Sequence, residues 1–181
     1  MAVMELNEVV LEGEAQTLSL MAREGQLTCL SGTDDARLTH LLEAMMGFEV
    51  PRSGYICIDG EPLTERTAGL LRSMMAYAPR RLADAGEIRR YEAPSVQDVF
   101  DLRANRDLPI SNGLLAEETR RAGGSRLLAV AVLRQKPLLL ADQPPTDAFG
   151  YLRGLARSGR TVIVASCDDV YAEGADVRFE L

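Results

Sequence analysis

The residues best placed to do chemistry lie at positions 30–39, between an apolar run and a helical pattern. A glycine-started loop between a strand and a helix is the setting in which backbone N–H groups bind phosphate. The phosphate-loop formula is glycine, four residues, then glycine, lysine and serine or threonine. Gly32 takes the first position of this formula and Thr39 takes the last. The spacing therefore predicts the frame of a phosphate-binding loop.

The residues inside this frame do not carry the expected chemistry. Arg37 stands at the second glycine, where close wrapping of an anion favours a residue without a side chain. Leu38 stands at the lysine position and has neither a donor nor a charge. Asp34 and Asp35 add two carboxylates, and a like-charge contact at about 4 Å costs roughly 4 kcal/mol at an effective dielectric of about 20. The alternative interpretation is an ordinary strand-to-helix turn with an aspartate N-cap.

The composition is that of a soluble globular protein, with 181 residues, 46% hydrophobic and 26% charged. The net charge of -7 disfavours nucleic acid or an anionic membrane as a direct partner. We expect neither a membrane span nor a signal peptide. Cys29, Cys57 and Cys167 are scattered, which predicts reduced thiols in a cytoplasmic protein. His40 is the single histidine, so a histidine-rich metal site is excluded.

Strands that alternate with helices predict an α/β fold with a mostly parallel sheet. The apolar run that ends in Asp142 is typical of a central parallel strand, Gly47 is placed to end the first helix, and Asp59-Gly60 is a hairpin signal. Residues 80–112 are expected to be largely irregular, with a break at 109–113. The predicted strands are 4–11, 17–21, 26–30, 55–58, 75–78, 137–142, 161–166 and 177–181. The predicted helices are 38–46, 70–75, one that starts at Ser95, 126–135 and 151–157.

The order of these landmarks resembles the nucleotide-binding domain of ATP-binding cassette (ABC) transporters along nearly the whole chain. The most specific segment is 51–60, Pro-Arg-Ser-Gly-Tyr-Ile-Cys-Ile-Asp-Gly, which is similar to the family's P-x-S-G-x-I-x-I-D-G hairpin. The other matching segments are the phosphate loop at 32–39, the strand into the Q-loop at 77–80, the signature position at 122–125, the Walker B segment at 136–144 and the strand to the switch histidine at 161–168.

This resemblance implies a fold and a domain organisation. The expected fold is α/β and P-loop NTPase-like, with a mostly parallel sheet, N-terminal antiparallel strands and a reduced helical subdomain. A single ABC-ATPase-like domain is expected over residues 1–181, with the reduced helical subdomain at about 95–125. In the family this subdomain usually docks on a membrane subunit.

The resemblance also shows which functional positions differ from the family. Gln143 stands at the glutamate that polarises the attacking water, and an amide cannot take a proton. No aromatic residue lies between Val9 and Thr17 to stack on adenine. The remaining replacements are Leu38 at the phosphate lysine, Arg80 at the Q-loop glutamine, Ala122 at the signature serine and Cys167 at the switch histidine.

Two pairs of family residues are kept. Thr39 and Asp142 are the pair that would hold Mg²⁺ through a hydroxyl and a water. Gly123 and Gly124 keep the shape of the signature loop. Alternatives stay open for each: a strand-end carboxylate that caps nearby backbone for Asp142, a first-turn helix residue for Thr39, and a simple helix-entry turn for the two glycines.

The expected function is a degenerate, non-hydrolytic ABC-type subunit without catalytic residues or a cofactor of its own. It would be a structural or regulatory partner of an active cassette or a membrane permease, as a homodimer or heterodimer. It would be cytoplasmic, and peripheral at the inner face of the membrane where a permease holds it. One alternative is a cassette that binds Mg-ATP through Thr39, Asp142 and Arg37 with weak or no hydrolysis. The other is a small kinase, although Lys136, the only lysine, lies away from the loop.

Overall fold

The computed structural model of the protein describes residues 2–81 and 112–181. Elements are numbered here in their order among these residues. The strands are β1 (Met4–Val10), β2 (Leu18–Ala22), β3 (Leu27–Ser31), β4 (Ser53–Ile58), β5 (Glu61–Pro62), β6 (Met75–Ala78), β7 (Leu138–Asp142), β8 (Thr161–Ser166) and β9 (Val177–Glu180). The helices are α1 (Asp35–Met45), α2 (Ala68–Arg72), α3 (Asn112–Arg121), α4 (Arg126–Leu133), α5 (Phe149–Arg157) and α6 (Asp169–Gly174), with a 3-10 turn at Thr146–Ala148.

A five-stranded sheet in the order β6-β7-β8-β3-β9 forms the centre of the fold, and its neighbouring strands are parallel. The strands β3, β7 and β8 are buried along their whole length. Burial on both faces explains why they are continuous apolar runs in the sequence. One face carries Leu140 and Ile163 and packs against α1 and the antiparallel sheet. The other face carries Leu139 and Val164 and packs against α4, α5 and α6.

The second sheet has the order β2-β1-β4-β5 and is antiparallel. Its β4–β5 connection is the predicted Asp59-Gly60 hairpin, with φ of 51° and 80° at the two residues. Positive φ at both central positions is the geometry of a type I′ turn. The α/β fold with a parallel sheet and N-terminal antiparallel strands is therefore confirmed.

Helix α1 follows β3 and has a well-defined C-terminal end. At its C-terminus the N–H of Gly47 donates to the carbonyl of Ala44 at 2.9 Å, and the N–H of Phe48 donates to Glu43 at 3.1 Å. Gly47 has a φ of 73°. These two bonds and the left-handed glycine make a Schellman motif, as predicted for Gly47.

The structure corrects the bounds of five predicted elements by two or more residues and adds two helices. Helix α1 begins at Asp35 rather than at position 38, α2 spans Ala68–Arg72 rather than 70–75, and β4 begins at Ser53 rather than at 55. Helix α4 ends at Leu133 rather than at 135, and α5 begins at Phe149 rather than at 151. Gly113, treated as part of a break, lies in the first turn of the unpredicted α3, where helix N–H groups have no helical acceptor anyway. The unpredicted α6 has only six residues.

Some sequence expectations lie outside the described residues. The helix start at Ser95 and most of the helical subdomain expected at about 95–125 fall within 82–111. Within the two described ranges, no helix combines the length and the apolar character that crossing a bilayer requires.

Gly54 has a steric role at a bulge in β1. The pairing of β1 with β4 shifts register between Asn7 and Val10, and Glu8 in that interval has a φ of 50°. Gly54 has a φ of 74°, and a Cβ added there would lie 2.3 Å from the Glu8 carbonyl oxygen. The strand can pass the bulge only without a side chain at this position.

We therefore expect Gly54→Ala to lose far more folding stability than Gly13→Ala. Gly13 has the same φ of 74°, with nothing within 4 Å of an added Cβ. Both variants carry the left-handed strain of about 1–2 kcal/mol, and Gly54→Ala adds a steric cost of roughly 1–3 kcal/mol. Urea unfolding of the two variants measures the difference, and equal losses would contradict the assigned contact.

Candidate functional site

Part of the sequence-predicted site lies at the carboxyl ends of β3, β7 and β8, whereas Gly123 and Gly124 lie between α3 and α4. Gly32 follows β3, and Thr39 lies on α1. Asp142 ends β7, and Cys167 follows β8. In open α/β sheets, the crevice outside the carboxyl ends of the strands is where ligands bind. The parallel order of the strands thus collects residues that are far apart in the chain.

Thr39 and Asp142 are in direct contact. The Thr39 hydroxyl lies 2.8 Å from Oδ2 of Asp142 and 3.0 Å from the carbonyl oxygen of Asp35. The hydroxyl of the buried Tyr77 makes a longer contact of 3.4 Å with the same Asp142 oxygen. The two residues expected as Mg²⁺ ligands are therefore neighbours in space. The hydroxyl of Thr39 also bonds to the carbonyl four positions earlier, as is common for a threonine in a helix.

The loop between β3 and α1 is only three residues long, 32–34. Asp34 ends it as the N-cap of α1, and its Oδ1 accepts from the N–H of Ala36 at 3.0 Å and of Arg37 at 3.2 Å. The alternative of an aspartate-capped turn is therefore the geometry observed. A phosphate loop would keep residues up to position 37 out of the helix, whereas here Arg37 and Leu38 belong to its first turns.

Leu38 is fully buried in the core. It packs with Leu30 and Leu140 of the parallel sheet, and Phe179 and Leu181 pack against the same cluster. The side chain at the lysine position thus points beneath the loop, away from its mouth. It serves folding, and it presents no charge to an anion.

The two arginines of the predicted site pair with carboxylates of the same chain. Arg37 forms an ion pair with Glu14 at 2.8 Å and donates to Gln16 at 2.8 Å, which ties α1 to the β1–β2 connection. Arg80, at the Q-loop position, forms an ion pair with Asp35 in the first turn of α1. The hydrogen bond and the charge of Arg80 lower the pKa of Asp35.

Gln143 and Cys167 lie side by side because β7 and β8 are neighbours in the sheet. The Gln143 amide oxygen accepts the N–H of Cys167 at 3.1 Å, and its Nε2 lies 3.4 Å from the thiol sulfur. The structure thus brings together the positions of the family's glutamate and histidine. An amide has no basic lone pair with which to take a proton from water.

Gly123 and Gly124 form the turn from α3 to α4, with φ of 62° and 84°. Gly124 donates to Thr119 at 2.9 Å, and Ser125 caps α4 by accepting from the N–H of Leu128 at 3.2 Å. Ala122 is fully buried. The geometry is that of a turn between two helices.

Several partners in this site were not identified from the sequence. Tyr77 could have been found from the period of two along β6, which puts it on the same face as Met75. The partners Glu14 and Gln16 had no local signal, because they lie 23 and 21 positions before Arg37. Within residues 2–81 and 112–181, no cluster of three or more His, Cys, Asp or Glu side chains could hold a metal ion.

A Mg-triphosphate fits these residues only in part. The oxygen atoms of Thr39 and Asp142 suit Mg²⁺. Leu38 stands where a lysine would contact the phosphates, and the N–H groups of Ala36 and Arg37 already donate to Asp34. A side-chain charge at position 38 and two backbone donors at the start of α1 are thus not on offer to the phosphates in this arrangement.

We expect Arg80→Met to raise the pKa of Asp35 toward its ordinary value, because the hydrogen bond and charge that lower it are removed. Arg81→Met is the control and should change this pKa much less, since the charge of Arg81 is the smallest cause. A carboxyl group whose pKa is lower in the folded than in the unfolded protein stabilises the fold above its unfolded pKa of about 3.9. This stabilisation is lost as the pH falls through the folded pKa. Carboxyl NMR titration measures the shift, and equal effects of both variants would contradict the pairing.

No protein-family model matches the chain. Among curated proteins it is 27% identical to ABC transporter G family member 20 of Dictyostelium discoideum, over 91% of this chain and 25% of that protein. It is 23% identical to an uncharacterized ABC transporter ATP-binding protein of Haemophilus influenzae, over 73% of this chain and 57% of that protein. The chain thus spans between a quarter and just over half of the length of these relatives.

Solved structures share the fold at low sequence identity. An ATP-binding subunit of an ABC transporter has a TM-score of 0.69 at 17% identity, over 99% of this chain and 85% of that one. A nucleotide-free ATP-binding cassette from an ABC transporter has a TM-score of 0.69 at 14% identity, over 100% and 88%. The chain therefore has the fold of the ATP-binding cassettes of ABC transporters, and its sequence is similar to those of proteins named as ABC transporter proteins.

Proposed function

We propose that this chain is a non-hydrolytic subunit of a transporter-like complex and acts as a structural or regulatory partner. The observation that carries this proposal is Leu38, which is fully buried in the core at the position of the phosphate lysine. The framework of the family is present, while the group that would hold the outer phosphates is part of the hydrophobic interior.

The energetics of phosphoryl transfer support this proposal. Charge stabilisation at the γ-phosphate supplies most of the catalysis in this reaction. Leu38 offers no charge, Gln143 offers no base, and Cys167 replaces the histidine. The three losses act on one transition state, so they are not additive, but together they leave hydrolysis near the uncatalysed rate.

The kind of partner is proposed from the names of the relatives. Those names describe ABC transporter proteins, and a cassette of that family works beside a membrane permease or against a second cassette. We propose that this chain occupies one such position, in a homodimer or a heterodimer, on the cytoplasmic side of a membrane. The turn at Gly123-Gly124 is exposed at Gly124 and is the segment it would present to a partner.

A second candidate function is favoured by the contact between Thr39 and Asp142. The two oxygen atoms lie 2.8 Å apart at the end of β7, and their chemistry suits Mg²⁺. This candidate is a cassette that binds Mg-nucleotide without turning it over.

We expect magnesium-dependent ATP turnover of the purified chain to equal that of Asp142→Asn. We also expect Gln143→Glu to leave turnover at that background, because a restored base cannot act on a phosphate that is not held. Phosphate release measures both. Wild-type turnover about tenfold or more above Asp142→Asn, a difference of about 1.4 kcal/mol in barrier, would contradict the proposal.

Thermal unfolding separates the two candidate functions. A bound ligand raises the melting temperature in proportion to the logarithm of its concentration over its Kd. We expect no shift with millimolar ATP and Mg²⁺ in the wild type. A shift in the wild type that is lost in both Asp142→Asn and Thr39→Val would instead support the nucleotide-binding candidate.

A further inference from the structure

The backbone donors at the start of α1 already have an acceptor. Asp34 is the N-cap, and its Oδ1 accepts from Ala36 at 3.0 Å and from Arg37 at 3.2 Å. In a phosphate loop, N–H groups at this place in the strand-loop-helix unit point at the ligand. The carboxylate of Asp34 therefore stands where a phosphate oxygen would accept.

The charges around this cap are also satisfied within the chain. Asp35 holds Arg80, and Glu14 holds Arg37. To contact an incoming anion, either arginine would first have to leave the carboxylate with which it pairs. An anion that approached the loop would meet the charge of Asp34 and would have to displace it from both N–H groups.

The metal position has a comparable internal contact. The Thr39 hydroxyl bonds directly to the Asp142 carboxylate at 2.8 Å, so these two groups satisfy each other across 103 positions of sequence. The Thr39 hydroxyl and Oδ2 of Asp142, like the N–H groups of Ala36 and Arg37, are thus engaged within the chain.

We propose that the Asp34 carboxylate takes the place of a phosphate oxygen at the start of α1 and that it keeps anions away from the loop at 32–34. This inference rests on the proposed function, and it assigns this effect to one carboxylate in addition to the missing lysine. Removal of the Asp34 carboxylate frees two N–H donors and takes away one negative charge, while Leu38 stays in the core.

The chain offers a matched control for the loss of a cap. Asp168 caps α6 in the same manner and accepts from the N–H of Val170 at 2.8 Å. Asp168→Gly therefore removes an aspartate cap and one negative charge after the neighbouring strand β8, together with the hydrogen bond from the Thr146 hydroxyl. Glycine is itself an accepted N-cap residue, so neither glycine variant should unfold its helix.

The test uses inorganic tripolyphosphate as the probe and follows the backbone amide resonances of Ala36 and Arg37 in ¹⁵N-labelled protein. In Asp34→Gly we expect saturable shifts at both amides, with an apparent affinity at least about tenfold above that of the wild type. Asp34→Ser keeps an acceptor on the N–H groups but not the charge, so it should show a smaller gain. Asp168→Gly should behave as the wild type.

Two results would overturn the inference. One is a wild-type response at these amides equal to that of Asp34→Gly, and the other is no response in either Asp34 variant. The amide signals are independent of hydrolysis, so the two proposals fail separately. ATP turnover in the wild type overturns the proposed function, whereas the amide shifts decide the role of Asp34.

Discussion

The hydrogen bonds from Ala36 and Arg37 to Asp34 determine where α1 begins, and the rest of the site follows from that start. Successive residues on a helix are separated by about 100°. Once the helix starts at Asp35, Leu38 faces the core, and Thr39 faces the end of β7. A later start would change the directions in which Leu38 and Thr39 point.

The fold tolerates this arrangement because its stability comes from a different set of residues. The central strands β3, β7 and β8 are buried on both faces, and their apolar side chains build two cores. Of the site positions, Leu38, Tyr77 and Ala122 belong to these cores, whereas Gly32, Gln143 and Cys167 do not. Function can therefore change in a fold that is kept, since function depends on the site and not on the framework.

The sequence predicted the sheet well and the first turn of α1 poorly, for physical reasons. Long apolar runs identify buried parallel strands because burial on both faces leaves no polar position. The helical pattern of the sequence begins only at position 38, whereas the cap at Asp34 starts the helix one turn earlier. Helix α3 was missed because its sequence is mostly polar, and α6 because six residues give too short a pattern. Ion pairs such as Arg37 with Glu14 depend on the tertiary fold and leave no local trace.

The segment after β7 is held from two sides. A Cβ at Gly123 would lie 2.9 Å from the nitrogen of Ala148, and the Tyr171 hydroxyl donates to the carbonyl of Pro145 at 2.7 Å. The Thr146 hydroxyl also donates to Asp168 at 2.7 Å. With so little free space, the glycine turn and the segment at 145–148 pack as one unit, so any side chain placed at Gly123 would displace the backbone that follows Gln143.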